Sequence, residues 1–317
     1  MKNILYITFL VLSVACSTKN NKSQYQQYAE ISIADGGYWD NNVYVDGQVF
    51  NNVQQLKVPS QHTDHSYFIR YEGPGWESDK VGYRLYLDWR NAIDIFGKKT
   101  NQLVLKEVGQ DGFDSYHEMQ SWGMDVLKVG NSLGLGSFGR YDGSEVHHFK
   151  NVDSTLVSIS NELESSSINI SYHGWTTNKI VTDLAADISI ESGSRLTHVT
   201  LDRSTLFEGL CTGIVKHDVA VISSDSIDSV WSYIATFGIQ SLVPDELGMV
   251  LFYRNDQVAS LVDGNDDHLV VFKKNVQVVD YYFAASWVQE PEGIGSKEAF
   301  VTYINEVLTD LNTNDAG

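Results

Sequence analysis

Cations are scarce in this chain: 22 Lys and Arg stand against 41 Asp and Glu over 317 residues, a formal net charge of −19. That balance excludes an ordinary nucleic-acid binder, which needs a basic face to displace counterions from phosphates. It does not exclude an anionic small ligand, for which attraction need only be local. Cysteine is almost absent, with two residues, Cys16 and Cys211. Proline is limited to four positions, and no Pro/Ser-rich hinge, repeat or charge block follows the first 30 residues. Beyond the N-terminal apolar stretch, no second one is long enough for a transmembrane helix. There is no Gly-x-Ser-x-Gly elbow. His117-Glu118 has no second histidine three residues on, and His62-x-x-His65 and the adjacent His147-His148 have no confirming metal-ligand partners. Neither a metal nor a cofactor is expected. Gly134, Gly136 and Gly139 fit a dinucleotide-type glycine pattern, but no βαβ unit surrounds them. With Gly130 they leave room for the backbone to approach a ligand closely.

What is present begins with a leader. Residues 1–16, MKNILYITFLVLSVAC, place Lys2 before an apolar stretch that ends at Cys16. This reads as a bacterial lipoprotein signal peptide in which Cys16 becomes the lipidated first residue. Residues 17–30 read as a polar tether and 31–317 as a single domain. The expected location is exported, periplasmic and lipid-anchored, with the membrane touched through the anchor only. Cys211 then has no partner, and its apolar setting FEGLCTGIV makes it a buried structural thiol.

Period-two alternation dominates the rest. VGYRLYLDW (81–89) sets Val81, Tyr83, Leu85, Leu87 and Trp89 against Arg84, Tyr86 and Asp88. QLVLKEV, STLVSISNEL, SINISYHGW, AADISIES, RLTHVTLD, MVLFYRN, HLVVFKK and VQVVDYYFAASW are further strand candidates, separated by turn signals at 191–194, 254–257 and 263–267. The fold class that follows is all-β, a large antiparallel sandwich. Two helices are expected. One is SDSIDSVWSYIATFG, with Ile227, Val230, Trp231, Ile234 and Phe237 on one stripe. The other is SKEAFVTYINEVLTDLN, with Phe300, Ile304, Val307, Leu308 and Leu311 on one face and Ser296 as N-cap.

The few cations are gathered. Residues 70–106 hold seven against five acids, a local excess of two in a chain of net −19. On an unbroken strand Arg84 and Arg90 share the face opposite the core, roughly 20 Å apart. They either grip two anionic groups of an extended ligand or pair with acids such as Asp88 or Glu77. Trp89 reads as core, whereas Trp76 and Trp122 offer flat faces for sugar rings. A second dense stretch, residues 109–139, packs Asp114, Tyr116, His117, Trp122, Asp125 and Lys128 between glycines. Titratable groups on such a loop suit an active site, and His117 is the natural group for proton transfer near neutrality.

WESDKVGYRLYLDWRNAIDIFGKK (76–99), DGFDSYHEMQSWGMDVLKVGNSLGLGS (111–137), SYHGW (171–175), FGIQS (237–241) and LGM (247–249) together resemble a family of exported Bacteroidetes proteins long labelled a domain of unknown function. That family includes oligosaccharide dehydratases acting on ulvan fragments, and the resemblance runs from about residue 60 to about residue 305. It implies a galactose-mutarotase-like β-sandwich. It also implies a β-elimination that removes water from the non-reducing-end uronic acid of an anionic oligosaccharide, leaving a 4,5-unsaturated uronate. The chemistry needs a group to neutralise the carboxylate, a base for the C5 proton and an acid for the departing hydroxyl. Arg84 or Arg90 is expected for the first, and His117 or Tyr116 for the second. The other of that pair, or Lys128, is expected for the third. Trp76 and Trp122 are expected to stack on sugar, and Glu77, Asp114 and Asp125 to bond its hydroxyls or orient His117. A glycoside hydrolase using two carboxylates, and a sugar-binding lipoprotein without catalysis, are the rival readings.

Overall fold

The computed structural model describes residues 26–224 and 229–315. Cys16 and most of the leader and tether lie outside these residues, as does Ile227 of the first expected helix. Among the described residues, no helix is long and apolar enough to cross a membrane.

The molecule is an all-β sandwich closed by one C-terminal helix. Its largest sheet has nine antiparallel strands in the order Val221–Ser223, Trp231–Ile239, Glu246–Arg254, Val278–Trp287, Thr197–Arg203, Ile180–Glu191, Ser165–Thr177, Ser154–Asn161 and Gln55–Lys57. One face packs on two five-stranded sheets. The first, which carries the residues of interest below, runs Gln27–Glu30, Gly75–Ser78, Gly82–Leu85, Ile93–Lys98, Gly123–Asp125. The second runs Val146–His147, Leu135–Tyr141, Leu210–Val215, Asp267–Phe272, Val258–Asp263. One core joins the layers, with Ile168, Ile188 and Phe283 from the large sheet meeting Tyr83, Ile95, Phe138 and Val270 from the smaller ones. Alternation explains this directly, because side chains at every second strand position share a face. Cys211 is fully buried in that arrangement and burial pushes its thiol pKa up, as a structural thiol requires.

The helix Lys297–Asn314 covers the other face of the large sheet. The Ser296 hydroxyl accepts the Ala299 N–H at 3.2 Å, an N-cap bond. Phe300 and Ile304 are buried against Trp231, Tyr233, Val250 and Phe252, with Val307, Leu308 and Leu311 at the edge.

Three expectations change. Trp231–Ile239 is a strand, not the helix its stripe suggested. It is covered on one face by the core and on the other by the C-terminal helix. Both faces are therefore apolar, and periodicity loses its power to distinguish strand from helix. Residues 102–108 do not form a strand either. The N–H groups of Val104 and Leu105 donate to the buried Glu77 carboxylate, at 2.9 and 2.8 Å, instead of to a neighbouring chain. Gln27–Glu30, expected as the end of a polar tether, is an edge strand paired with Gly75–Ser78.

The glycines at 134 and 136 serve packing. Both have left-handed φ, and an added Cβ would stand 1.9 Å from the Ile93 carbonyl oxygen and 2.2 Å from the Phe283 ring respectively. The close approach made there is of chain to chain.

Candidate active site

The strand Gly82–Leu85 ends one residue after Arg84, and the chain turns back at once. The Tyr86 N–H donates to the Ala92 carbonyl at 2.9 Å, and Asn91 takes a left-handed φ of 46°. This turn overturns the 20 Å separation. Both guanidiniums stack on one ring, with Arg84 Cζ 4.5 Å and Arg90 Cζ 3.9 Å from the centre of Tyr86.

Arg84 is fully buried. It lies opposite Asp94 in the strand register, and its Nη2 donates to Asp94 at 2.9 Å, Asp125 at 2.8 Å and the Tyr86 hydroxyl at 2.6 Å. Its Nη1 donates to the Tyr116 hydroxyl at 2.9 Å. Two carboxylates and two phenols thus enclose one cation. Burial, and then the neighbouring Asp125, lift the Asp94 carboxyl to about 7 against the pull of Arg84. Burial raises Tyr116 to about 12, although Arg84 opposes the shift. The expectation that Arg84 holds a ligand carboxylate fails on space: its fork is filled by protein.

Arg90 is paired as well. It donates to Asp88 through Nε and Nη2, and Nη2 lies 2.9 Å from Asp64 and 3.1 Å from Glu72. Its side chain keeps 16% of its surface exposed, so one edge remains open. Glu72 is carried on a strained segment, with Tyr71 and Glu72 both at left-handed φ (41° and 68°), and His65 and Tyr67 nearby share that conformation. Non-glycine residues held this way cost about 1–3 kcal/mol each and cluster at functional sites. The ligating atoms of Asp64, His65 and Glu72 converge within 4.8 Å, and the guanidinium of Arg90 already supplies that group with a cation.

His117 follows Tyr116 on a short 3₁₀ turn, Ser115–His117. It stands over the buried cluster at the surface, its side chain 44% exposed. Nε2 lies 3.4 Å from Asp125 and Nδ1 3.7 Å from Asp114. The hydrogen bond to Asp125 raises its pKa above the ordinary histidine value, against desolvation. On the far side of Asp114, His65 Nε2 lies 3.8 Å from the other carboxylate oxygen. Tyr67 and Phe113 pack edge to face beside it, ring centres 4.5 Å apart. The surface therefore presents two histidines about one carboxylate, with an exposed edge of Arg90 and an aromatic rim.

Several expected site residues are elsewhere. Trp76 is 1% exposed, and its indole N–H donates to Thr197 at 3.0 Å. Trp122 is buried edge-on against Phe96. Glu77 is buried with Lys98 at 2.7 Å. None can offer a face or an oxygen to a sugar. Tyr116 is also 1% exposed and packs against His117, their ring centres 4.6 Å apart. Lys128 is exposed, and its charge bears on His217, whose pKa is lowered first by burial and then by that charge.

Trp89 departs most from expectation. It is only partly buried and lines a cleft of about 630 Å³ together with Lys57, His62, Asp88, Phe149 and Lys150. Trp89 and Lys150 also line a smaller hollow of about 300 Å³, next to His148 and Asp267. Asp88 joins cleft and cluster, lining the one and holding Arg90 of the other. The signal in the sequence was the turn-forming Trp89-Arg90-Asn91, which ends the alternation before the tryptophan.

A sandwich with a partly exposed acid–base cluster over a buried arginine is the class of protein these features define. The chain belongs to the family described as Domain of unknown function (DUF4861), whose model matches residues 8–314. A search of curated proteins found no match.

Proposed function

We propose that this protein is a carbohydrate lyase of the dehydratase type. It removes water from the non-reducing-end uronic acid of short anionic oligosaccharides, as released from ulvan, in a Bacteroidetes polysaccharide-degradation system. The observation that carries the reading is His117, half-exposed, packed on Tyr116 and held by Asp125, which is itself fixed by Arg84. A positioned imidazole anchored by a buried carboxylate is the arrangement proton abstraction needs. In this reading His117 takes the C5 proton. Tyr116, buried and with a pKa lifted to about 12, keeps its own proton and packs against the imidazole. His65, across Asp114, supplies the proton to the leaving 4-hydroxyl. The open edge of Arg90, rather than the enclosed Arg84, meets the uronate carboxylate and makes C5–H acidic. Electrons from the broken C5–H bond form the C4–C5 double bond as the C4–O bond breaks, and hydroxide leaves as water.

Purified mature protein should convert oligosaccharides ending in a saturated uronate into products lighter by one water, with the ultraviolet absorbance of a conjugated unsaturated uronate. New reducing ends without that absorbance would move the reading to hydrolysis. Binding with neither change would leave a sugar-binding protein.

Export and lipid anchoring belong to the same reading, supported by Lys2, the apolar run and Cys16. The Cys16→Ser variant is expected to leave the membrane fraction. Unchanged membrane association would refute the anchor.

A further inference from the structure

We infer that the cleft beside Trp89 is a saccharide-binding subsite for an acidic sugar, with the ring on the indole and its carboxylate or sulfate between Lys57 and Lys150. The inference rests on the preceding reading only in taking the ligand to be a sugar; it requires no turnover there. Its volume, about 630 Å³, falls among those of small-molecule sites. The Lys150 ammonium lies over one face of the Trp89 ring, 5.0 Å from its centre, so a pyranose would meet the indole on its other face, through the sugar's C–H side.

Charge points to an anion. In a chain of net −19, Lys57 and Lys150 make no ion pair among the described residues and are both exposed. The acids lining the cleft are Asp88 and Asp153. Asp88 is bound to Arg90, which it shares with Asp64 and Glu72, so the two ammonium groups face Asp153 and a partly compensated Asp88. His62, partly buried, also lines the cleft, and its Nδ1 bonds the Ser66 hydroxyl at 2.7 Å. Desolvation lowers the His62 pKa to about 4, so the ring is neutral near pH 7 and adds no charge to the cleft.

The test is calorimetric titration of the mature protein with a glucuronate-containing disaccharide, and with cellobiose as neutral control. The acidic disaccharide is expected to bind at least tenfold more tightly than cellobiose. Trp89→Ala should weaken it at least tenfold, and the exposed double variant Lys57→Gln/Lys150→Gln should remove the preference for acid. His117→Gln should leave binding within about twofold. Equal affinity for both sugars, or unchanged affinity in the lysine double variant with its melting temperature preserved, overturns the subsite. Loss of turnover in His117→Gln with binding intact leaves both readings standing. Turnover unaffected by His117→Gln but binding lost in the lysine variant sinks the catalytic assignment and leaves the cleft.

Discussion

Arg84→Met is expected to lower stability by about 3–5 kcal/mol, the cost of leaving a buried ion group without its counter-charge, and to depress the melting temperature by on the order of 10 °C. The reason is the company that the guanidinium keeps. Asp94 and Asp125 are both within 2.9 Å of Nη2, and both are buried. Even with Arg84 in place Asp94 is raised to about 7, from burial and from Asp125. Its folded pKa lies above the unfolded value, so Asp94 adds stability at low pH that is lost as pH rises toward 7. Removing Arg84 takes away the charge that holds the Asp94 carboxyl down and so widens that window. The loss should therefore be larger at about pH 8, where two unpaired carboxylates must be buried or protonated, than at about pH 5.5, where protonation costs little. Denaturant unfolding at both values measures it. An equal loss at the two would mean that packing, not the carboxylates, sets the role of Arg84.

The same residue shows what could be read in the sequence. Alternation along residues 81–87 correctly separates the core side, Tyr83 and Leu85, from the side of Arg84 and Tyr86. It cannot say that residues 109–125 fold over that second side and bury it. That covering is a long-range event, made by Tyr116 and Asp125 reaching a strand some 30–40 positions away. Pairing of the arginines with acids was one of two readings left open by charge counting; the structure takes it, with Asp88 joined by Asp64, Glu72, Asp94 and Asp125, while Glu77 pairs with Lys98. The tryptophans went the opposite way for the same reason. Trp76 sits mid-strand and Trp89 sits in the turn, and a residue in a turn escapes the burial that alternation assigns to it. The C-terminal helix was legible because its period, cap and single apolar face agree. The strand Trp231–Ile239 was not, because two covered faces leave no contrast. The crowding of titratable groups around His117 was legible in the sequence, but the approach of its ring to Asp125 was not.

His117→Gln should lower kcat by roughly 10²–10⁴-fold with KM changed only a few-fold, because the side chain is half-exposed and its main tie is to Asp125. The pH profile separates a proton-transfer role from a binding one. As base His117 must be neutral, and its raised pKa delays that state. The ascending limb of kcat/KM should therefore lie above the ordinary histidine value of about 6.5. The hydrogen bond to Asp125 is the largest cause of the shift. Asp125→Asn should thus move the limb to lower pH even where it lowers the maximum rate, while Asp114→Asn, at an exposed carboxylate whose charge adds less, should move it slightly in the same direction. A limb unmoved in Asp125→Asn would mean that another group titrates. A binding residue offers no such signature: its loss raises KM and leaves the limb in place. The sign of the shift in Asp125→Asn therefore bears on the proposed catalytic step more directly than the size of any rate loss, since a folding defect can imitate the second and not the first.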